Sequence, residues 1–190
     1  MKKVNLLLLT FISIVAFSSC TGNKKTAEAE TNQTSATVDQ VLAMAAQDVD
    51  KAVVVEGLCT HICSHGGKKL FLMGEDDSKT IRVESNDAIG AFKAECANSI
   101  VQIKGTLREE RIDEAYLVKW EAQLAEGTTE DHGDGEEGCA TEQKAQGQDT
   151  VTDDAGRIKD FRTKIAARNE AEGVNYLSFY FIEASEYSIL

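Results

Sequence analysis

Four segments with the pattern of β-strands follow one another between residues 52 and 107, and their order constrains the fold more than any other feature. Each is rich in β-branched or aromatic residues and is bounded by turn residues, as strands are. Gly66 and Gly67 supply a tight turn after the first segment, and Gly57 predicts a bulge or bend within it. We expect strands at residues 52–64, 69–74, 79–85 and 99–107.

Apolar residues recur at helical spacing in four other segments. Thr37 can cap the first of these helices, and Asn86 or Asp87 can cap the second. The third segment is ambiguous, because a fifth strand through residues 116–120 is an alternative to a helix. We expect helices at residues 38–47, 87–98, 111–125 and 156–173, with a further apolar strand at residues 174–184.

The order strand, hairpin, strand, helix, strand resembles an OB-fold, a small barrel in which a helix lies between the third and fourth strands. Two motifs carry the resemblance: Val55-Glu56-Gly57 in the first strand and V-x-I-x-G-x-L at residues 101–107. The sequence is similar to the OB-fold domains of small exported bacterial proteins over about residues 38–107. This resemblance implies an α+β fold, built as an OB-like antiparallel β-barrel with flanking helices. It implies no activity, because the fold serves many functions.

The N-terminal stretch has the parts of an export signal. Lys2 and Lys3 form a basic start, an apolar run covers residues 6–17, and small residues lead to Cys20. The run is shorter than the roughly 20 residues of a transmembrane helix. Residues 1–19 resemble a bacterial lipoprotein signal peptide, with Cys20 as the lipidated residue; an ordinary secretory signal is the alternative. The resemblance implies a cell-envelope protein on a bacterial membrane, the outer membrane, on its periplasmic or surface side.

Composition divides the remaining chain into ordered and polar parts. Residues 20–36 lack aromatic and large aliphatic side chains, so we expect a flexible tether there. Residues 126–150 are acidic and rich in Gly, so we expect a disordered linker. The OB-like barrel domain then covers residues 37–125, and residues 151–190 supply a helix and a strand that pack on the barrel.

The formal charge of −12 limits the choice of partners. Removal of residues 1–19, which contain two lysines and no acidic residue, would make this charge −14. A chain this acidic is repelled by nucleic acid, so nucleic-acid binding, the familiar use of the OB-fold, is not expected. No arrangement of catalytic side chains stands out, and we expect a binding protein rather than an enzyme.

Soft side chains alternate within one stretch of seven residues, which holds two of the chain's 3 His and two of its 5 Cys. On a regular strand these alternate side chains share one face. The stretch spans about 20 Å, so one ion can bind only neighbouring members. Thiolate and imidazole suit Cu⁺ or Zn²⁺. The predicted metal ligands are Cys59, His61, Cys63 and His65, with Met73 and Cys96 as further candidates.

The same stretch also has a purely structural interpretation. Buried cysteines often behave as small apolar residues, so Cys59 and Cys63 can fill the barrel core. A disulfide between these two is not expected, because about 13 Å of straight strand separates them, beyond the roughly 7 Å reach of a bridge. Two functions therefore stay open. One is a lipid-anchored module that binds an envelope protein or glycan, and the other is a soft-metal binding protein.

Overall fold

Five strands close into a barrel, and four helices flank it. The computed structural model describes residues 34–64, 66–127, 139–148, 151 and 153–190. The helices described are α1 (Val38–Asp48), α2 (Glu114–Glu126), α3 (Ala140–Ala145) and α4 (Asp154–Glu172). The strands are β1 (Ala36–Thr37), β2 (Ala52–Ile62), β3 (Lys69–Met73), β4 (Thr80–Ser85), β5 (Ile100–Asp113) and β6 (Tyr176–Ile189).

The barrel strands follow the order β2-β3-β4-β6-β5, and the barrel closes because β5 also pairs with β2. Neighbouring barrel strands are antiparallel, except that β4 and β6 are parallel. A closed ring of five strands cannot alternate in direction all the way round, so one parallel pair is unavoidable. The predicted α+β class and OB-like barrel are confirmed, and the barrel is mixed rather than wholly antiparallel.

Aliphatic side chains fill the inside of the barrel, and α1 covers one part of this core with Val38, Val41 and Ala45. Burial of each large side chain contributes about 1.5–3 kcal/mol. Thr37 caps α1 as predicted, because its hydroxyl accepts the backbone N–H of Gln40 at 3.3 Å. The core side chains contributed by the barrel strands include Val55, Leu70, Leu72, Ile81, Val83, Val101, Ile103, Leu107 and Ile182.

A second, smaller core lies between α2, α4 and the far ends of β5 and β6. Its buried members are Ile112, Leu117, Trp120, Ile158 and Phe161. The predicted third helix is confirmed from Glu114 onward, and the alternative strand through residues 116–120 is wrong. The predicted C-terminal helix and strand are also confirmed, and β6 continues to Ile189.

The short helix predicted at residues 87–98 is wrong. Only a 3-10 turn forms in this region, over Ala94–Cys96. The Asn86 side chain accepts the backbone N–H groups of Ala88 and Ile89, each at 3.1 Å, which caps a single turn. Gly90 then has a φ of 69°, a left-handed conformation that ends the turn before a helix can grow.

The predicted disordered linker contains an ordered part. Helix α3 lies within residues 126–150, so the prediction of disorder is wrong for residues 139–148. The buried side chains of this part are polar, Glu142, Gln143 and Gln148, and they give no apolar periodicity for sequence reasoning to find. Residues 128–138, 149 and 150 lie outside the described residues.

Most of the N-terminal predictions concern residues outside those described. These are the signal peptide at residues 1–19, the lipidated Cys20 and the tether as far as residue 33. The end of the predicted tether is ordered, because Ala36 pairs with Val55 in a short parallel ladder. In the part of the chain that the structure describes, no helix is both long and apolar enough to cross a membrane.

Candidate metal centre

Three soft donor groups converge outside the barrel, beside the hairpin of β2 and β3. The donor atoms of His61, Cys63 and Cys139 all lie within 4.8 Å of one another. The Cys63 thiol donates to the Cys139 sulfur over 3.4 Å. Cys63 is 2% exposed, whereas His61 and Cys139 are partly exposed. The cluster therefore has one shielded and two accessible members.

A β-bulge in β2 decides which side chains reach this cluster. Cys59 pairs with Leu72, and His61 pairs with Phe71. Two steps along β2 therefore match one step along β3, and Thr60 is the extra residue. Paired residues share a face of the sheet. Cys59 thus points with Leu72 into the core, while His61 lies on the outer face with Phe71, their rings 6.0 Å apart.

The expected alternation on one face is therefore wrong for Cys59. Cys63 lies just beyond β2, where its backbone N–H donates to the carbonyl of Lys69 at 2.9 Å and continues the hairpin. The predicted bulge at Gly57 is also wrong, because Gly57 pairs regularly with Val101. A Cβ at Gly57 would lie 2.9 Å from Val38 Cγ2, so this glycine is needed for the close approach of α1.

Helix α3 supplies the third donor. Cys139 is the residue that precedes α3, and its carbonyl accepts the N–H of Gln143 at 2.9 Å. The helix rests on the outer face of the barrel, where Glu142 forms an ion pair with Arg82 of β4 and another with Lys69 of β3, the latter at 3.3 Å. The position of Cys139 thus depends on the docking of α3.

Arg82 is the centre of the charged group under α3. It also pairs with Glu110 at 2.8 Å and with Glu84 at 3.1 Å, and its guanidinium lies 4.8 Å from the centre of the Phe181 ring. Only 11% of the Arg82 side chain is exposed. A charge this deeply buried needs such partners, and the three carboxylates together compensate it.

The surroundings favour a thiolate at Cys139. The hydrogen bond from Cys63 holds the pKa of Cys139 well below that of an ordinary thiol, and it outweighs the opposing effect of burial. The backbone N–H groups of Glu142 and Thr141 lower this pKa further, as does the nearby His61. A thiolate is the form of cysteine that binds metals and attacks electrophiles.

The spacing of the three donors is close to that of a metal site. Zinc binds sulfur at about 2.3 Å and nitrogen at about 2.0–2.1 Å with tetrahedral angles, which places ligand atoms about 3.5–3.8 Å apart. The two sulfur atoms, 3.4 Å apart, already have nearly this separation. The imidazole nitrogen lies within 4.8 Å of both sulfur atoms, at most about 1 Å beyond the separation in a metal site. Two sulfurs and one nitrogen form a soft donor set.

The other predicted ligands do not join this cluster. Cys59 and Cys96 are fully buried in the barrel core, so Cys96 is wrong as a further ligand of the outer cluster. Met73 lies nearby on β3 and lines a cavity with Thr60 and Ala140. His65 lies outside the described residues.

Sequence reasoning missed Cys139, because the residue belongs to the segment expected to be disordered. The contact with Cys63 joins residues 76 positions apart, and local patterns carry no information about such pairs. The available signal was chemical: Cys139 is a single cysteine within an acidic, Gly-rich stretch that has no apolar core to enter.

Comparisons with known proteins add little to this picture. No family model matches the chain, and a search of curated proteins finds no match. Among solved structures, the chain is similar to a protein described as an aspartyl-tRNA synthetase from Leishmania major Friedlin, at 16% identity and a TM-score of 0.27. The similarity covers 47% of this chain and 18% of that one, so this chain spans less than a fifth of that protein. A TM-score this low supports no conclusion.

Proposed function

We propose that this protein is an envelope protein that binds a soft cation, Zn²⁺ or Cu⁺, through His61, Cys63 and Cys139. The observation that carries the proposal is the convergence of these three donor groups within 4.8 Å. The residues come from two separate parts of the chain, a hairpin and α3, so the convergence is a property of the fold and not of one local motif.

Charge and softness support the choice of ion. Two thiolates neutralise Zn²⁺, and three protein ligands leave its fourth position for water or another ligand. Cu⁺ also prefers thiolate and imidazole over the carboxylates that dominate this chain's acidic composition. Ca²⁺ and Mg²⁺ prefer oxygen ligands and are not favoured by this donor set.

The metal proposal is tested by native mass spectrometry of the reduced full-length protein, with zinc or cuprous ions supplied in slight excess. We expect one ion per chain, with uptake weakening as pH falls, because protons compete with the metal for every donor. Cys139→Ser should abolish uptake. The matched control is Cys96→Ser, which changes a cysteine inside the barrel and should leave uptake intact. A wild-type protein that takes up neither ion, or a Cys139→Ser variant that still does, contradicts the proposal.

A lipid anchor at Cys20 is the second part of the proposal. Its support is the order of basic start, apolar run and small residues before Cys20. Metabolic labelling with a palmitate analogue tests it, with Cys20→Ala as the control. We expect label in the wild type only, and an unlabelled wild-type protein would remove the anchor from the proposal.

Binding of an envelope protein is a second candidate function, favoured by exposed aliphatic side chains at one end of the barrel. Ile100 is 45% exposed and Ile189 is 41% exposed, although both belong to barrel strands. Leu190, which is 65% exposed, donates its backbone N–H to the Ile100 carbonyl at 3.0 Å, so Ile100 and Leu190 are neighbours in one exposed patch. Cross-linking in cells tests this candidate, with Ile100→Asp expected to remove any partner that depends on this patch. The expectations of a glycan partner, of no nucleic-acid binding and of no enzymatic activity stay predictions.

A further inference from the structure

The segment that supplies Cys139 is held on the barrel by polar contacts. We name residues 139–148 the clasp. Its buried side chains are Glu142, Gln143 and Gln148, and none of them is apolar. Helix α3 has 6 residues, far fewer than the 12–15 at which an isolated helix becomes even marginally stable. The clasp therefore depends on its contacts with the rest of the protein.

Polar contacts at Glu142, Lys144 and Gln148 anchor the clasp, and Gln146 and Gly147 add contacts to Arg157 and Lys164 of α4. Glu142 pairs with Arg82 and Lys69, as described above, and Lys144 pairs with Asp77 at 2.5 Å. At the other end, Gln148 exchanges hydrogen bonds with Arg157 of α4: its amide donates to the Arg157 carbonyl, and its oxygen accepts from the guanidinium, each at 3.0 Å.

Two open clefts border the clasp. They have volumes of about 240 and 310 Å³, and both are lined by Ala145 of α3 and Thr80 of β4. The buried side chains of the clasp are polar, so its docking depends on ionic and hydrogen-bonding contacts.

We propose that the clasp docks onto the barrel together with the metal, and that Glu142 is the positioning residue that sets the metal affinity. This inference rests on the proposed function. A metal held by Cys139 and Cys63 joins the clasp to the barrel, so its affinity falls in proportion to the fraction of molecules with a docked clasp. Glu142 reaches the metal only through the position of Cys139.

Coupling of this kind acts in both directions. If docking strengthens metal binding, metal binding must strengthen docking by the same factor. Zinc should therefore slow hydrogen exchange of the backbone amides in residues 140–148, while amides inside β3 and β4 should change little. The ion pair between Arg82 and Glu142 forms only when the clasp is docked, whether or not metal is bound.

The test compares two variants that each remove one carboxylate partner of Arg82. Glu142→Gln removes the partner on the clasp, and Glu84→Gln removes the partner on β4. Zinc affinity is measured on the full-length reduced protein by competition with a chelator. We expect Glu142→Gln to bind zinc about tenfold more weakly, within the usual range of coupling between sites, and Glu84→Gln to stay within about twofold of wild type.

Two further measurements separate positioning from general damage. Cobalt-loaded Glu142→Gln should show the wild-type thiolate-to-cobalt absorption at saturation, since its ligands are unchanged. Its amides at residues 140–148 should exchange faster without metal and return to the wild-type rate with saturating zinc. Lys144→Gln, which breaks an exposed anchor, should weaken zinc binding in the same direction by about twofold, and it serves if Glu142→Gln fails to fold.

Each outcome decides between the ideas. Wild-type zinc affinity in both Glu142→Gln and Lys144→Gln overturns the clasp while the metal site stands. Equal weakening in Glu142→Gln and Glu84→Gln also overturns it, because the effect would then belong to Arg82 and not to the clasp. Absence of both zinc and cuprous ion uptake by the wild-type protein overturns the proposed function, and the clasp with it.

Discussion

The inside of the barrel and the outer face under the clasp each hold a pair of cysteines, and one member of each pair comes from the same stretch of chain. Cys59 and Cys96 lie inside, among aliphatic side chains. Cys63 and Cys139 lie outside, beside an imidazole and a group of buried charges. Cys59 and Cys63 are only four positions apart in the sequence, yet their surroundings have little in common.

The two environments act on the thiols in opposite directions. Burial raises the pKa of Cys59 to about 11, and the neighbouring Cys96 contributes to the rise. On the outer face, the hydrogen bond from Cys63 lowers the pKa of Cys139. A single extra residue in β2, Thr60, separates the two environments, because it moves the following side chains to the other face. The face of the sheet on which a cysteine lies, rather than its position in the sequence, therefore determines the direction in which the pKa of its thiol shifts.

The largest expected difference between the two pairs is in alkylation rate. Native protein treated with iodoacetamide at neutral pH should react first at Cys139, which is partly exposed. Cys59 and Cys96 have no exposed surface, so they should react only when the barrel opens, at least about a thousandfold more slowly. Peptide mapping by mass spectrometry assigns each modified cysteine.

Zinc sharpens this first prediction. Bound metal should protect Cys63 and Cys139 from alkylation and leave the slow reaction of Cys59 unchanged. Similar rates for Cys59 and Cys139 without metal would mean that the barrel core is more open than its burial indicates.

The second expected difference is in stability. Cys59→Ser places a hydroxyl inside the barrel, where the thiol makes long contacts with the backbone of His61, at 3.6 Å, and of Phe71. We expect the free energy of unfolding to fall by about 1–3 kcal/mol. Cys139→Ser should change it by less than about 0.5 kcal/mol in the metal-free protein, as is usual for accessible positions. Urea unfolding of both reduced variants measures the two effects, and equal losses would contradict the distinction between the pairs.

The sequence allowed prediction of the inside of the barrel far better than of its outer face. A continuous apolar run located β3, alternating apolar residues located β4 and β5, and apolar residues at every fourth position located α2. The bulge at Thr60 leaves no such pattern, since it depends on how two strands pair. Helix α3 leaves none either, because ion pairs with Arg82 and Lys69 hold it in place of apolar contacts. Two of the three members of the candidate site, His61 and Cys63, were therefore expected, and Cys139 was not.

The smallest expected effect concerns the acid sensitivity of the clasp. Burial alone would raise the pKa of Glu142, but the charges of Arg82 and Lys69 and their hydrogen bonds lower it overall. More distant groups that face this carboxyl, Tyr116 and Arg157, do not reverse the direction. A carboxyl whose pKa is lower in the folded state than in the unfolded state stabilises the fold above the unfolded value.

This stabilisation must disappear as pH falls through the folded-state pKa of Glu142, because the protonated side chain no longer forms ion pairs with Arg82 and Lys69. At pH 7, Glu142→Gln should be less stable than wild type by about 1 kcal/mol. This is the usual difference between a hydrogen bond to a charged acceptor and one to a neutral acceptor. The difference in stability should be smaller near pH 3 than at pH 7, since glutamine resembles a protonated glutamate. Glu170→Gln, at an exposed position of α4, is the matched control for the loss of one carboxylate. Urea unfolding at the two pH values measures the difference. If the difference in free energy of unfolding between Glu142→Gln and wild type stays constant from pH 7 to pH 3, the Glu142 charge does not hold the clasp. The outer face would then differ from the barrel interior only in its cysteines.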